Sequence, residues 1–134
     1  MEGESLVPAT VHLDTHVIIW MTMGEHSRLS ETVIKHINFS TVVISPTVIL
    51  ELQYLVEVKK IEGNPVKIID KLQSLIGLEI CNDSFESVVK ESLRLSWTRD
   101  PFDRLIVAQA ALAKAPLITK DDSIHKHYAH AVWD

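Results

Sequence analysis

The sequence predicts an α/β fold in which a short central parallel sheet is flanked by helices. Short runs of β-branched and aliphatic residues, of which Thr41 to Ser45 is the clearest, alternate with longer segments of helical periodicity. Strands separated by helices form parallel sheets, because each helix returns the chain to the same end of the sheet. A length of 134 residues suits one compact domain. We therefore expect a single domain over residues 1–134.

Each predicted element has a boundary signal in the sequence. Residues 1–9 form an N-terminal extension without a motif, and the first strand ends at Asp14. Ser45–Pro46 and Asp100–Pro101 each predict a helix start, because a polar N-cap residue precedes a proline at the first helical position. Gly77 predicts a helix end. The resulting strands are 10–14, 41–45, 78–81, 117–119 and 131–133, and the helices are 15–23, 30–37, 46–60, 65–76, 83 or 84 to 96, 101–115, and one that begins at 121 or 122.

The composition is that of an ordinary globular protein of the cytoplasm. The chain is 46% hydrophobic and 23% charged, and no apolar run approaches the roughly 18 residues of a membrane span. Cys81 is the single cysteine, so an internal disulfide is excluded and a reducing compartment fits. The net charge of −5 argues against a simple basic nucleic-acid binder. An enzyme that gathers carboxylates around a divalent metal can nevertheless be acidic overall.

Two aspartates follow predicted strands directly. Asp14 is the last residue of the first strand, directly after Val11–Leu13, and Asp121 comes after Leu117–Thr119 with one lysine between. In open α/β sheets, function gathers at the carboxyl ends of the strands. Either aspartate alone is commonly a helix cap or a turn residue. Together they predict an acidic site at one edge of the sheet.

Glu51 is predicted to face the same site. Gln53, Glu57 and Lys60 mark the polar side of its helix, and at about 100° per residue Glu51 lies roughly 160° from Gln53. Its same-side neighbours include Tyr54 and Val58, so we expect this side to face the core. Side chains on helices lean toward the N-terminus, which here is the end that follows a strand. A buried carboxylate must be paired, protonated or metal-bound, and the alternative to a metal is a buried salt bridge.

Asp100 and Asp103 are expected to have different roles. With Pro101 at the first helical position, Asp100 is the N-cap and accepts hydrogen bonds from the first turn. Asp103 lies one turn in, on the face that also carries Ile106 and Val107. We expect Asp103 to be functional and Asp100 to be structural or supporting. The alternative for Asp103 is an acid that favours the helix dipole.

Several carboxylates at one edge of a sheet repel one another unless a cation lies between them. Hard oxygen ligands select Mg²⁺ or Mn²⁺, which share their waters with phosphate groups. The chemistry that follows is metal-assisted hydrolysis of a phosphodiester.

Four segments of the sequence resemble the ordered motifs of PIN domains, and most closely those of VapC-type toxins of toxin–antitoxin pairs. The likeness spans residues 11–133 and is carried by HLDTHVIIW, ISPTVILEL, RDPFDRLIVAQA and LITKD. The resemblance implies a dimeric RNA-cutting endonuclease that needs Mg²⁺ or Mn²⁺ and is silenced by a cognate antitoxin. It places the metal-binding and catalytic acids at Asp14, Glu51, Asp103 and Asp121, with the hydroxyls of Thr15 and Thr119 in support. Asp122 is a departure, because it puts a second acid beside Asp121.

Three cations flank the predicted site and are expected to contact RNA phosphates, namely Arg99, Arg104 and Lys120. The tryptophans at positions 20, 97 and 133 are expected in the core or at an interface rather than as platforms for base stacking. Two other functions fit parts of the pattern. One is a catalytically silent PIN-like module that binds RNA or protein, and the other is an aspartate-based phosphotransfer protein. Metal-dependent cleavage of RNA distinguishes the nuclease from both.

Overall fold

The computed structural model of the protein describes residues 9–134. The predicted extension, residues 1–9, lies outside this range except for Ala9, whose carbonyl accepts a hydrogen bond of 2.8 Å from the Thr41 amide. The strands of the described part are β1 (Thr10–Leu13), β2 (Thr41–Ile44), β3 (Glu79–Ile80), β4 (Leu117–Ile118) and β5 (Ala131–Val132). The helices are α1 (Thr15–Thr22), α2 (Glu31–Phe39), α3 (Pro46–Glu57), α4 (Pro65–Ile76), α5 (Phe85–Ser92), α6 (Pro101–Leu112) and α7 (Asp122–His127), with a 3-10 turn at His26–Arg28.

The strands form one parallel sheet in the order β3-β2-β1-β4-β5. The predicted α/β class with a short parallel sheet is therefore confirmed. The chain adds strands on one side of β1 and then returns to add β4 and β5 on the other. The order thus reverses between β1 and β4, and such a switch point opens a crevice at the carboxyl ends of the strands.

The core lies between the sheet and the helices that cover it. Val11, Leu13, Ile44, Leu117 and Ile118 are buried almost completely, as expected for short strands covered on both faces. Burial of such side chains contributes roughly 1.5–3 kcal/mol each relative to exposure. The sheet is therefore a rigid base for residues that follow its strands. None of the helices within residues 9–134 has the length and apolar character that a bilayer span requires.

Three helices end three or four residues earlier than predicted, namely α3, α5 and α6. α6 stops at Leu112, ahead of Lys114, which adopts a left-handed conformation with φ of 49°. α3 stops at Glu57 because Lys59 adopts a left-handed conformation, with φ of 62°. α5 stops at Ser92, where the Arg104 side chain donates to the Ser92 carbonyl through Nε and Nη2. The Ser92 carbonyl also accepts from the Leu95 amide at 3.0 Å, and the Glu91 carbonyl accepts from the Arg94 amide at 3.2 Å, so the chain tightens into 3-10-type turns where α5 ends. Gly77 ends α4 as predicted, with φ of 69°.

Candidate metal centre

A cavity of about 450 Å³ opens at the switch point of the sheet. It brings together acids from five segments of the chain: the ends of β1 and β4, the first turns of α6 and α7, and the middle of α3. All four predicted metal-binding acids line it, and so do Asp100, Asp122 and Lys120. The complete lining is Asp14, His16, Trp20, Glu51, Asp100, Asp103, Lys120, Asp121 and Asp122.

Asp14 is held rigidly at the end of β1. Its amide donates to the Ile118 carbonyl of β4 at 3.0 Å. Its Oδ1 accepts from the Thr15 amide at 2.8 Å, and its Oδ2 accepts from the Thr119 hydroxyl at 2.7 Å. Burial raises the pKa of Asp14, and these hydrogen bonds oppose that rise because they favour the charged form. The side chain is thus fixed in position and costly to ionise alone.

Glu51 is tied to the same cluster through Thr15, whose buried hydroxyl donates to Oε1 at 2.5 Å. Its hydrogen-bond partner within residues 9–134 is therefore a hydroxyl rather than the lysine or arginine of a salt bridge. Burial raises the pKa of Glu51, and the charges of Asp14 and Asp100 add to this rise.

The prediction that Glu51 shares a core-facing side with Tyr54 and Val58 is wrong in part. Glu51 is half-buried, whereas Tyr54 is 48% exposed and Val58 is 43% exposed. α3 packs on the core through Val48 and Leu52 instead. The side of α3 that carries Glu51 borders the cavity, so this carboxylate reaches the site from the edge of the core.

Thr119 links Asp14 to Asp121. Its hydroxyl donates to Asp14 and accepts from the Asp121 amide at 3.1 Å. Asp121 is the N-cap of α7, and its Oδ1 accepts from the Ile124 amide at 3.0 Å. The adjacent Asp122 is exposed in the first turn of α7. Asp121 is exposed as well, and both acids line the cavity. They differ in their hydrogen bonds, because Asp121 is bonded to Thr119 and to the first turn of α7.

Asp103 is at the electrostatic centre of the cluster. Its pKa is raised from 3.8 to about 7, first by burial and then by the charges of Asp100, Asp14, Asp121 and Glu51. Within residues 9–134 its carboxylate oxygens accept no hydrogen bond that would offset these effects. A cation placed in the cavity would therefore stabilise the ionised form of Asp103.

The side chains fit a hard divalent cation. Every strong metal-ligating group in the cavity wall is a carboxylate, apart from the imidazole of His16. Among residues 9–134, no three His, Cys, Asp or Glu side chains are arranged to ligate one ion directly. Mg²⁺ does not need such a cage, because it keeps several waters and binds through one or two carboxylates. The raised pKa values of Asp14, Glu51 and Asp103 are the more relevant observation. Burial is their largest cause and the charges of neighbouring acids add to it, and a cation in the cavity would offset both effects.

Of the three cations predicted to contact RNA, only one lines the cavity. Lys120 is exposed and lines the cavity. Arg104 does not line it, and its guanidinium is occupied by Ser92. Arg99 is exposed and donates to the Ser96 carbonyl at 2.7 Å. Sequence reasoning missed His16 and Trp20 as parts of the wall, although their spacing of four residues places both on one face of α1.

Asp100 also has the structural role that was predicted for it. Its Oδ1 accepts from the amides of Phe102 at 2.8 Å and Asp103 at 3.4 Å. Asp100→Ala should therefore lower the free energy of unfolding by about 1 kcal/mol, whereas Asp100→Asn should cost much less, because asparagine caps equally well. Urea denaturation of both variants measures this difference. Equal stability of the alanine and asparagine variants would show that the cap contributes nothing.

The fold and the site define a class: a parallel α/β protein with an acid-lined cavity at the switch point of its sheet. The PIN domain family model matches residues 11–130, and the chain belongs to this family. A search of curated proteins finds no significant match.

Solved structures of similar fold include several toxin–antitoxin complexes. VapBC2 from Rickettsia felis, bound to a DNA fragment from its promoter, aligns with a TM-score of 0.66 and 21% identity over 93% of this chain and 99% of that one. A toxin–antitoxin complex from Klebsiella pneumoniae aligns with a TM-score of 0.61 and 19% identity over 91% of this chain and 95% of that one. VapBC-5 from Mycobacterium tuberculosis aligns with a TM-score of 0.54 and 24% identity over 93% of this chain and 97% of that one. At these identities the likeness shows a shared fold.

Proposed function

We propose that this protein is a metal-dependent endoribonuclease that hydrolyses phosphodiester bonds in RNA, and that it is the toxin of a toxin–antitoxin pair. The observation that carries the proposal is the carboxylate-lined cavity, in which burial and four neighbouring acids together raise the pKa of Asp103 to about 7. Membership of the PIN domain family and the fold shared with toxin–antitoxin complexes support it.

Asp14, Glu51, Asp103 and Asp121 would hold Mg²⁺ or Mn²⁺. When bound, the metal supplies positive charge for the phosphate and activates a water as the nucleophile. Thr15 and Thr119 keep Glu51 and Asp14 in place through their hydroxyls. Lys120, exposed at the wall, would attract the substrate phosphate into an otherwise acidic cavity.

The partners follow from the same proposal. The similar complexes from Rickettsia felis and Klebsiella pneumoniae contain a toxin together with its antitoxin. We propose that this chain likewise binds a cognate antitoxin, works as a homodimer, and acts in the cytoplasm.

A direct test measures metal binding and RNA cleavage on the same purified protein. Millimolar Mn²⁺ should raise the melting temperature by roughly 4 °C or more, because a ligand that binds only the folded state stabilises it. Na⁺ at equal ionic strength should have a much smaller effect. Mn²⁺ should also start the cleavage of single-stranded RNA, and excess chelator should stop it.

Asp70→Asn is the matched control, because Asp70 is an exposed acid on α4 that does not line the cavity. This variant should keep both the metal response and the cleavage. Equal stabilisation by Na⁺ and Mn²⁺, together with no cleavage under any metal, would contradict the proposal.

A further inference from the structure

A second cavity adjoins the acidic one on the side of β5. Its volume is about 500 Å³, and its wall includes Lys120, His125 and Trp133. Lys120 and Asp122 line both cavities, so these form one continuous depression along the carboxyl edge of the sheet. A ligand that enters the acidic cavity can therefore extend past Lys120 into the second one.

The boundary between the two cavities combines aromatic rings with positive charge. The Lys120 ammonium lies 5.8 Å from the centroid of the Trp133 ring. The indoles of Trp133 and Trp20 meet edge to face, with centroids 5.7 Å apart. On the far side, the Arg28 guanidinium lies 5.4 Å from the Trp20 ring. Arg28 is paired with Glu25 at 3.1 Å and lines neither cavity, so Lys120 is the cation that a ligand meets here. An indole beside a lysine suits a nucleotide, because the ring stacks on the base while the ammonium pairs with a phosphate.

Charge favours Lys120 as the contact for a phosphate. Among the described side chains that line the two cavities, it is the only lysine or arginine. It is also exposed, so its ammonium can turn from the indole to a phosphate and leave the ring face to a base. His125 is fixed behind this position, because its Nε2 donates to the Thr119 carbonyl at 2.6 Å.

We infer that the second cavity binds the nucleotide next to the scissile phosphate of single-stranded RNA. The base stacks on Trp133, and Lys120 holds the phosphate that connects the two cavities. The strand is single, because a base paired in a duplex is not free to stack on a side chain. The position of the scissile phosphate rests on the proposed function, whereas the binding of a nucleotide rests on the cavity itself.

Binding is measured separately from cleavage, in an Asp14→Asn background. The probe is a fluorescently labelled single-stranded RNA of about 12 nucleotides, followed by anisotropy. Trp133→Leu should weaken binding about tenfold, and Trp133→Phe should weaken it less, because a phenyl ring still stacks. Trp97→Leu is the control, because Trp97 lines neither cavity and stacks on His127 instead.

Removal of single bases from the RNA makes the test specific. One abasic position should weaken binding to the Asp14→Asn parent about as much as Trp133→Leu does, and it should have no further effect on the leucine variant. Additive losses at every position, or full affinity in Trp133→Leu, would overturn the inference.

Lys120→Met gives a second readout that does not depend on how Trp133 variants fold. It should lower the slope of the logarithm of the binding constant against the logarithm of salt concentration by about one, the value of one phosphate contact. The comparison is Lys126→Met, because Lys126 is a matched exposed lysine on α7. Equal salt dependence of the two variants would also overturn the inference. If the wild-type protein binds RNA in this way but cleaves none, the proposed function fails while the binding site stands. If the protein cleaves RNA but Trp133 and Lys120 contribute nothing to binding, the proposed function stands and the inferred binding site is wrong.

Discussion

Asp103→Asn is expected to abolish RNA cleavage and, in the same protein, to stabilise the metal-free fold at neutral pH. Asparagine keeps the shape of the side chain but removes the charge that would hold the metal, so cleavage should fall by at least about 100-fold. The gain in stability has a separate cause. Burial and four neighbouring acids make the ionised form of Asp103 unfavourable, and asparagine cannot ionise.

The pH dependence of stability distinguishes this cause from a general effect of the substitution. The pKa of Asp103 is about 7 in the folded protein and 3.8 in its ordinary state, so the folded protein retains a proton that the unfolded chain releases. The stability contributed by the protonated form is fully present below about pH 4 and is lost as pH rises through about 7. At pH 8 in chelator, Asp103→Asn should be more stable than wild type by about 1 to 2 kcal/mol, a value reduced for solvent screening. Near pH 4 the difference should disappear.

Denaturation at these two pH values, with and without Mn²⁺, measures the effect. Metal should cancel the advantage of Asp103→Asn, because only the wild-type carboxylate gains from it. Asp70→Asn, whose carboxylate lies on exposed α4, should show neither the pH-dependent gain nor the loss of cleavage. An Asp103→Asn variant that cleaves RNA as fast as wild type would show that this residue is not a metal ligand.

The positions of Asp14 and Asp121 were predictable because they depend only on topology. Short β-branched runs separated by helices predict a parallel sheet, and residues that follow its strands must lie at the same edge. The structure confirms that sheet and places both residues beside its switch point. Their roles as metal ligands stay a prediction. The capping role of Asp100 was also predictable, because the N-cap signal lies within four adjacent residues.

Features that depend on distant parts of the chain were not predictable from local pattern. α5 ends early in 3-10-type turns, beside a contact with Arg104, which lies twelve residues later and donates to the Ser92 carbonyl. Tyr54 is exposed because α3 presents only one narrow face to the core, which periodicity alone does not show. Trp133 packs against the core as expected, but because β5 is an edge strand, the residue that follows it also lines a cavity that opens at the surface.

Growth arrest by this chain expressed alone is the second prediction with a large expected effect. The cavity is open at the surface, and its acids other than the buried Asp14 are partly or fully accessible from solvent. If the protein is a toxin, as we propose, unblocked cleavage of cellular RNA should stop growth. Co-expression with the neighbouring open reading frame should restore growth. The blocking protein should present an arginine to the carboxylates, because a guanidinium pairs with them bidentately and competes with the metal.

Asp14→Asn separates this mechanism from toxicity of any other origin. The variant should fold, because asparagine Oδ1 can still accept from the Thr15 amide, and the Thr119 hydroxyl can accept from the new amide nitrogen. The buried charge is lost, and with it the metal site. Colony counts after induction should therefore match an empty vector for Asp14→Asn, whereas Asp70→Asn should arrest growth as wild type does. If Asp14→Asn, expressed at the same level, is as toxic as wild type, the toxicity does not arise from these carboxylates, and the proposed mechanism is wrong even though the fold is that of a PIN domain.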